Sequence, residues 1–355
     1  MGNVADKSTC RPAASGQSDR VHHGFSAILG LELTVSLGFL FGGGVGTEVR
    51  GTEMYRSYPV MRDLYEQVSE WTGLTVGQIL EEELPTAQEE RQSAGTIRET
   101  ALALGIHDVL VEHGLRPSAL GGLSLGAMTA SCLAGAIGRR ELFEMLAHTR
   151  HTPELPPESP EQGLALAFAP VEGDLVAAYR GEGRAGVHLS GVFGVTADGA
   201  MQILMLSGER SALEEVAADL PPGTIAPLPD RPIAVHSPLR GHHREFMAPY
   251  VGAMPFTAPE LPLFSCLEQK KLTTAEGVRD LFDRNSTDAI SLPDVCAGMK
   301  EEGVRLALIM GGSIPDGILR FPFPVVHVDQ PEHVQQVLTS AFDLGIDLAP
   351  AQTGR

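Results

Sequence analysis

The chain has 355 residues, of which 43% are apolar, 20% charged and 5% aromatic; this balance excludes the disordered, fibrous and disulfide-stapled classes and leaves room for two domains or one large domain with an insertion. Acidic side chains outnumber basic ones by 45 to 26, a formal charge of −19, and a field of that sign repels nucleic acid and anionic membrane, so neither is expected as a partner. Cys10, Cys132, Cys266 and Cys296 never form a C-x-x-C pair, which predicts reduced thiols, no metal site and a cytoplasmic protein.

Residues 1 to 24 mix small, polar and charged types without apolar periodicity and are expected to form a flexible N-terminal extension. They lack the basic, apolar and small-residue order of a secretory signal. The apolar run from Phe25 to Phe41 is broken by Glu32 and closed by three glycines, too short to span a bilayer. A buried strand over Leu33 to Phe41 is expected instead, running into a turn at Gly42 to Gly46 where no Cβ keeps backbone N–H groups from a ligand. Tyr58 to Trp71 reads as helix. Ile97, Ala101, Leu104, Ile106, Leu110 and Val111 recur near helical spacing within Gln92 to His113, with Gly114 as the stop. A short strand at Pro117 to Leu120, a glycine-rich turn and a helix over Ala127 to Ile137 follow.

His151 to Gln162, rich in proline and glutamate, reads as a linker. Beyond it the pattern predicts strand Leu164 to Ala169, helix Gly173 to Tyr179, strands Gly186 to Val195 and Met201 to Ser207, helix Arg210 to Leu220 and strand Thr224 to Leu228. That βαββαβ order is the one of a ferredoxin-like subdomain. The expected class is therefore α/β: an α/β-hydrolase-like large domain with a short parallel sheet, residues 25–162 and 230–355, interrupted by a ferredoxin-like small subdomain, residues 163–229, with the active site in the cleft between them.

Gly122-Leu123-Ser124-Leu125-Gly126 fits G-x-S-x-G, where a strained strand-to-helix turn lifts the serine Oγ clear of the sheet and both glycines are steric requirements. The helix that follows places the Leu125 N–H and a positive dipole beside any oxyanion formed at Ser124. A serine needs a base. His236, closing the apolar segment Ala234-Val235 before Ser237-Pro238-Leu239, sits where a strand meets a proline turn and its ring can be held rigidly; His242 and His243, on the polar stretch beyond, read as solvated.

Four features together resemble the malonyl-CoA:acyl carrier protein transacylases and the acyltransferase domains of polyketide synthases, over residues 34 to about 340. They are the strand entering a glycine turn at Phe41 to Gly46 followed by Tyr55 and Ser57-Tyr58-Pro59, the G-x-S-L-G elbow, the inserted βαββαβ unit, and Val235-His236-Ser237-Pro238-Leu239, which looks like the family's F-H-S-P-L. The resemblance implies that Ser124 takes the acyl group as an ester, that His236 serves as base and then as acid, and that Gly44 lends a second oxyanion N–H beside Leu125. It also implies a backbone carbonyl that orients the histidine; setting Arg284 to Leu292 on the family's R-Q-L-x-x-P-V-x-W assigns that carbonyl to Ser291. An arginine beyond the elbow helix holds a malonyl carboxylate in the family, and Arg150 is the residue placed there, by way of a one-residue insertion.

The departures are informative. The family's G-Q-G-x-Q is here Gly43-Gly44-Val45-Gly46-Thr47, the usual histidine before the nucleophile is Leu123, the glutamate after the elbow is Ala127, and the expected glutamine ahead of the long helix is Thr96. Ile233-Ala234-Val235-His236 matches neither H-A-F-H nor Y-A-S-H. The changes at Gly44, Thr47, Leu123, Ala127 and Thr96 make the site less polar and favour an acyl group larger or more apolar than malonyl, with Leu123 and Val235 as acyl-contacting positions. No bound cofactor is implied, since the acyl-CoA or phosphopantetheinyl carrier is the substrate. The acyl carrier protein is itself acidic, so a basic patch of Arg139, Arg140, Arg150, Arg240 and Arg244 is expected to offset the net charge. The expected protein is a monomeric acyl-carrier-protein acyltransferase working by a ping-pong route in polyketide or antibiotic biosynthesis. Its alternatives are an editing thioesterase that clears a carrier protein and a non-catalytic carrier-docking subunit.

Overall fold

A computed structural model describes residues 36–44, 50–80, 83–172, 186–229, 231–311 and 314–346. The expected N-terminal extension, the far end of the glycine turn and the expected helix at Gly173 to Tyr179 lie outside the described residues. In chain order the first elements are β1 (Ser36–Phe41), α1 (Thr52–Ser57), α2 (Pro59–Thr72), α3 (Val76–Leu80), α4 (Gln88–Glu112), β2 (Ala119–Gly122), α5 (Leu125–Leu133) and α6 (Arg139–His148). After them come β3 (Gln162–Pro170), β4 (Val187–Val195), β5 (Met201–Glu209), α7 (Arg210–Asp219), β6 (Ile225–Leu228) and α8 (Gly241–Ala253). The last are β7 (Leu263–Phe264), β8 (Lys271–Leu272), α9 (Ala275–Arg284), β9 (Ile290–Ser291), α10 (Leu292–Glu301), β10 (Val304–Met310), β11 (Val325–Val328) and α11 (Pro331–Asp343).

One sheet has the order β11-β10-β1-β2-β7-β8, with every pairing parallel except β7 with β8. A parallel sheet is covered on both faces, which is why β1 and β10 are near-continuous apolar runs with Phe39, Leu40, Phe41, Leu308 and Ile309 buried. Each such side chain contributes about 1.5–3 kcal/mol relative to exposure. β1, β2 and β10 point their carboxyl ends to the same edge, the edge where ligands meet helix N-termini in open α/β sheets.

Helix α4 is the long helix expected over Gln92 to His113, starting four residues earlier. It stops at Gly114, whose φ of 81° frees the chain to turn while the Leu115 N–H closes back on the Leu110 carbonyl at 3.0 Å.

The second sheet has the order β6-β3-β5-β4-β9. Its first four strands and α7 are the elements expected from Leu164 to Leu228, each boundary within two residues. Leu213 and Val216 of α7 join Ala165, Ala167, Val187, Leu204 and Leu206 in a core separate from the main one. β9, unforeseen from sequence, comes from beyond this segment and adds in parallel to β4, so the second sheet recruits a strand from the C-terminal part of the chain. Among the described residues no helix is long and apolar enough to cross a membrane.

Candidate active site

Ser124 sits between the end of β2 and the first residue of α5, with φ 53° and ψ −118°. His236 has φ 56°, and among the described residues these two are the non-glycine positions with positive φ. Left-handed backbone at a side-chain-bearing residue costs on the order of 1–3 kcal/mol and persists only where the surroundings over-determine it. The elbow's surroundings are backbone: a Cβ on Gly122 would stand 2.2 Å from the Gly126 oxygen, and one on Gly126 would stand 2.3 Å from the Phe41 oxygen. A Cβ on Gly43 would meet the Leu123 oxygen at 2.5 Å, so the turn after β1 presses directly on the elbow. The Leu123 N–H donates to the Phe41 carbonyl at 2.9 Å and fixes the two loops together.

The Leu125 N–H heads α5 and has no intrahelical acceptor by its position. Gly44 holds φ 89° one residue beyond the contact of Gly43 with the elbow, and a Cβ there would touch nothing within 4 Å. Its glycine is therefore a requirement of backbone angle rather than space. Leu123 is buried in the core and Val235 is half-buried against it.

His236 Nε2 lies 2.8 Å from Ser124 Oγ. The ring is 4% exposed, and burial pushes its pKa down to about 4, outweighing the backbone of Asn285 and Asp288, which favours the charged form. The ring is neutral at pH 7 and can accept the serine proton. Nδ1 is fully buried without a well-aligned partner; the polar groups nearest in effect are the Asn285 and Asp288 backbone carbonyls. The main-chain N–H of His236 donates to Ser286 O at 2.9 Å.

The expectation for Ser291 is corrected by this arrangement. Ser291 pairs with Val192 in the second sheet, donates its N–H to Cys266 O at 2.7 Å and caps α10 through its side chain. The segment that faces the histidine is Asn285 to Asp288. Asn285 was visible in the sequence as the residue in the second position of R-Q-L, where one amide side chain replaces another. Its buried Oδ1 lies 4.0 Å from Cys266 Sγ, a thiol that burial pushes up to about 11 and that is no competing nucleophile at neutral pH.

Arg150, expected to hold a carboxylate, turns to the backbone: Nε donates to Ala147 O at 2.8 Å and Nη2 to Thr72 O at 3.0 Å, tying the ends of α6 and α2. Four of the five arginines of the expected basic patch are neutralised. Arg139 forks onto Asp108 with both contacts at 2.6 Å, Arg140 meets Glu144 at 2.7 Å, Arg240 meets Glu89 at 2.8 Å, and Arg244 is on Asp283. His243, expected to be solvated, has Nδ1 3.0 Å from Thr152 Oγ1, and burial pushes its pKa down to about 3.

No family model matches the sequence. A 178-residue stretch is 28% identical to squalestatin hexaketide synthase of Phoma sp. (strain ATCC 20986 / MF5453), covering 47% of this chain and 6% of that protein. The acyl-carrier-protein S-malonyltransferase of Burkholderia pseudomallei is similar in structure with a TM-score of 0.74, 19% identity, and 86% of this chain and all of that one covered. The malonyl-transacylase in the PlMCAT:AntF complex, which holds a type II polyketide synthase acyl-carrier protein, gives 0.72 at 17% identity over 86% and 99%. The acyltransferase domain of the second salinomycin synthase module gives 0.70 at 21% identity over 88% and 75%. The resemblance carried by the elbow, the glycine turn and the histidine segment thus extends to the whole architecture, and the chain has the fold of malonyl-CoA:acyl carrier protein transacylases and polyketide synthase acyltransferase domains.

Proposed function

We propose that the protein is an acyltransferase that moves an acyl group between thioesters of coenzyme A or an acyl carrier protein through an ester on Ser124. The observation that carries this is the 2.8 Å contact between Ser124 Oγ and a buried, neutral His236, made by the two side-chain-bearing residues that, among the described residues, have left-handed backbone. His236 Nε2 takes the Oγ proton as Oγ attacks the thioester carbonyl, and the N–H groups of Leu125 and Gly44 hold the oxyanion. Collapse of the tetrahedral adduct expels the donor thiolate, which leaves with the proton from His236. The acceptor phosphopantetheine thiol then reverses the sequence, so the reaction is ping-pong and needs no bound cofactor.

The acyl group is one without a free carboxylate. Arg150 has two of its donors on helix ends, and Leu123, Ala127 and Thr96 stand where histidine, glutamate and glutamine occur in the family, so an anionic acyl chain would lose water without gaining partners. The four-one-three-two strand order over 163–229 in the second sheet supports the ferredoxin-like reading. A role in polyketide or related secondary metabolism fits the synthase likeness.

The test is intact-protein mass spectrometry with malonyl, methylmalonyl, acetyl and longer acyl thioesters, followed by a chase with holo carrier protein or buffer. A monocarboxylic adduct that is stable in buffer, moves to the carrier and is absent in Ser124→Ala is the expected result. Drainage into buffer at the same rate makes the protein a carrier-clearing thioesterase, and an adduct on Ser124→Ala removes Ser124 from the mechanism.

A further inference from the structure

Four residues beyond His236, Arg240 is 4% exposed and forks onto Glu89, 7% exposed, with contacts of 2.8 and 3.2 Å across 151 positions of sequence. The segment between His236 and Arg240 has little freedom. Ser237 is buried with its Oγ donating to Ala234 O at 2.8 Å, Pro238 has a fixed φ, and Pro238–Arg240 is a single helical turn closed by the Arg240 N–H on Ser237 O at 3.0 Å. Arg240 is therefore a short, stiff lever on the histidine.

Glu89 is the fixed end. It lies in the first turn of α4, where the helix dipole favours a carboxylate, and α4 is itself tied to α6 by Ser93 Oγ on Leu146 O at 2.7 Å. On its other side His236 is held through its N–H on Ser286 O. The strained backbone of His236 thus has one tether before the turn and one after it, and the second is a planar bidentate fork that fixes direction as well as distance.

We infer that Arg240 and Glu89 are a positioning pair that aims the His236 ring at Ser124 Oγ. The inference rests on the reading of Ser124 and His236 as nucleophile and base. A buried ion pair replaced whole by apolar residues of similar volume is often neutral or better for stability, so stability and alignment can be separated.

The experiment compares wild type with the double variant Glu89→Leu/Arg240→Met, measuring the melting temperature and the rate at which a fluorophosphonate labels Ser124, an assay that uses no acyl donor. The double variant is expected to melt within a few degrees of wild type and to label at least tenfold more slowly, with the maximal rate of acyl loading falling and the half-saturating donor concentration unchanged. Labelling within twofold of wild type overturns the pairing role. Should the double variant fail to fold, Arg240→Lys, which keeps the charge and loses the fork, is read instead: slower labelling at an unchanged melting temperature supports the pair, and an unchanged rate overturns it. A wild-type protein that does not label at all refutes the nucleophile reading itself, which separates the two failures.

Discussion

Ser124 and His236, the proposed nucleophile and base, are held by two different kinds of structure. Around Ser124 the constraints are backbone against backbone: Gly122 against Gly126, Gly126 against Phe41, Gly43 against Leu123, with a strand and a helix on either side in unbroken sequence. Around His236 they come from separate segments, Ser286 on its N–H, Asn285 and Asp288 near its ring, and Glu89 on the arginine four residues on. Sterics within one short motif leave few solutions, so the elbow is nearly self-sufficient. A loop fixed by long-range polar contacts depends on the whole fold and can be loosened without unfolding it.

Two measurements put this difference to the test most directly. Gly126→Ala puts a methyl 2.3 Å from the Phe41 carbonyl and 2.5 Å from that of Gly42, and since neither backbone group can swing away, the elbow and β1 must part. A loss of about 3 kcal/mol in a denaturant melt is expected, at the upper end of overpacking, together with loss of Ser124 labelling. A melt unchanged within 0.5 kcal/mol or so, an ordinary surface effect, shows the elbow to be softer than its packing implies.

His236 answers to pH instead. His236 is buried with its pKa pushed down to about 4, against roughly 6.5 in an unfolded chain. The unfolded chain binds the extra proton between those values, so stability is full above about pH 6.5 and falls as pH drops toward 4, by up to about 3 kcal/mol for this group. His243, pushed down to about 3, adds a loss of the same sign. The labelling rate isolates His236: it is expected to stay flat from pH 8 to about 5 and to drop near 4. A midpoint near 6.5 means the ring is wet and the loop open.

The contrast also explains what was legible in the sequence. Apolar runs and a period of 3.6 placed the four strands and the helix of 163–229 to within two residues, because burial dictates them: β5 is buried on both faces, in the main core and in the small one. The elbow was legible because its glycines are demanded locally. β9 was not, since two residues, Ile290 and Ser291, carry no period and become a strand only because β4 lies alongside. The orienting carbonyl fell to Ser291 by counting along a degenerate motif, whereas backbone carbonyls leave no mark on residue choice and the amide at Asn285 was the better landmark. The basic patch failed for a related reason: charge can be counted in sequence, but the partners Asp108, Glu89 and Asp283 lie 31, 151 and 39 positions from their arginines.

Arg150 gives the smallest of these effects and the finest discrimination. A carboxylate clamp and a helix tie both predict that Arg150→Ala does harm, but in different places. As a tie it donates to Ala147 O and Thr72 O, acceptors at helix ends that water reaches only in part, and charged hydrogen bonds of this kind are worth about 1.5–3 kcal/mol each before the solvent screening of a half-buried site is allowed for. A stability loss of about 1 kcal/mol is therefore expected, with loading of malonyl and of monocarboxylic thioesters reduced in equal proportion as α2 and α6 loosen. As a clamp it would lower malonyl loading alone, by the tenfold or more that loss of a bidentate contact to a buried carboxylate brings, and leave the melt where it was. Because the two readings move different observables, one variant assayed with two donors decides between them, and a selective fall with malonyl would return the carboxylate to this pocket and with it a malonyl-type substrate.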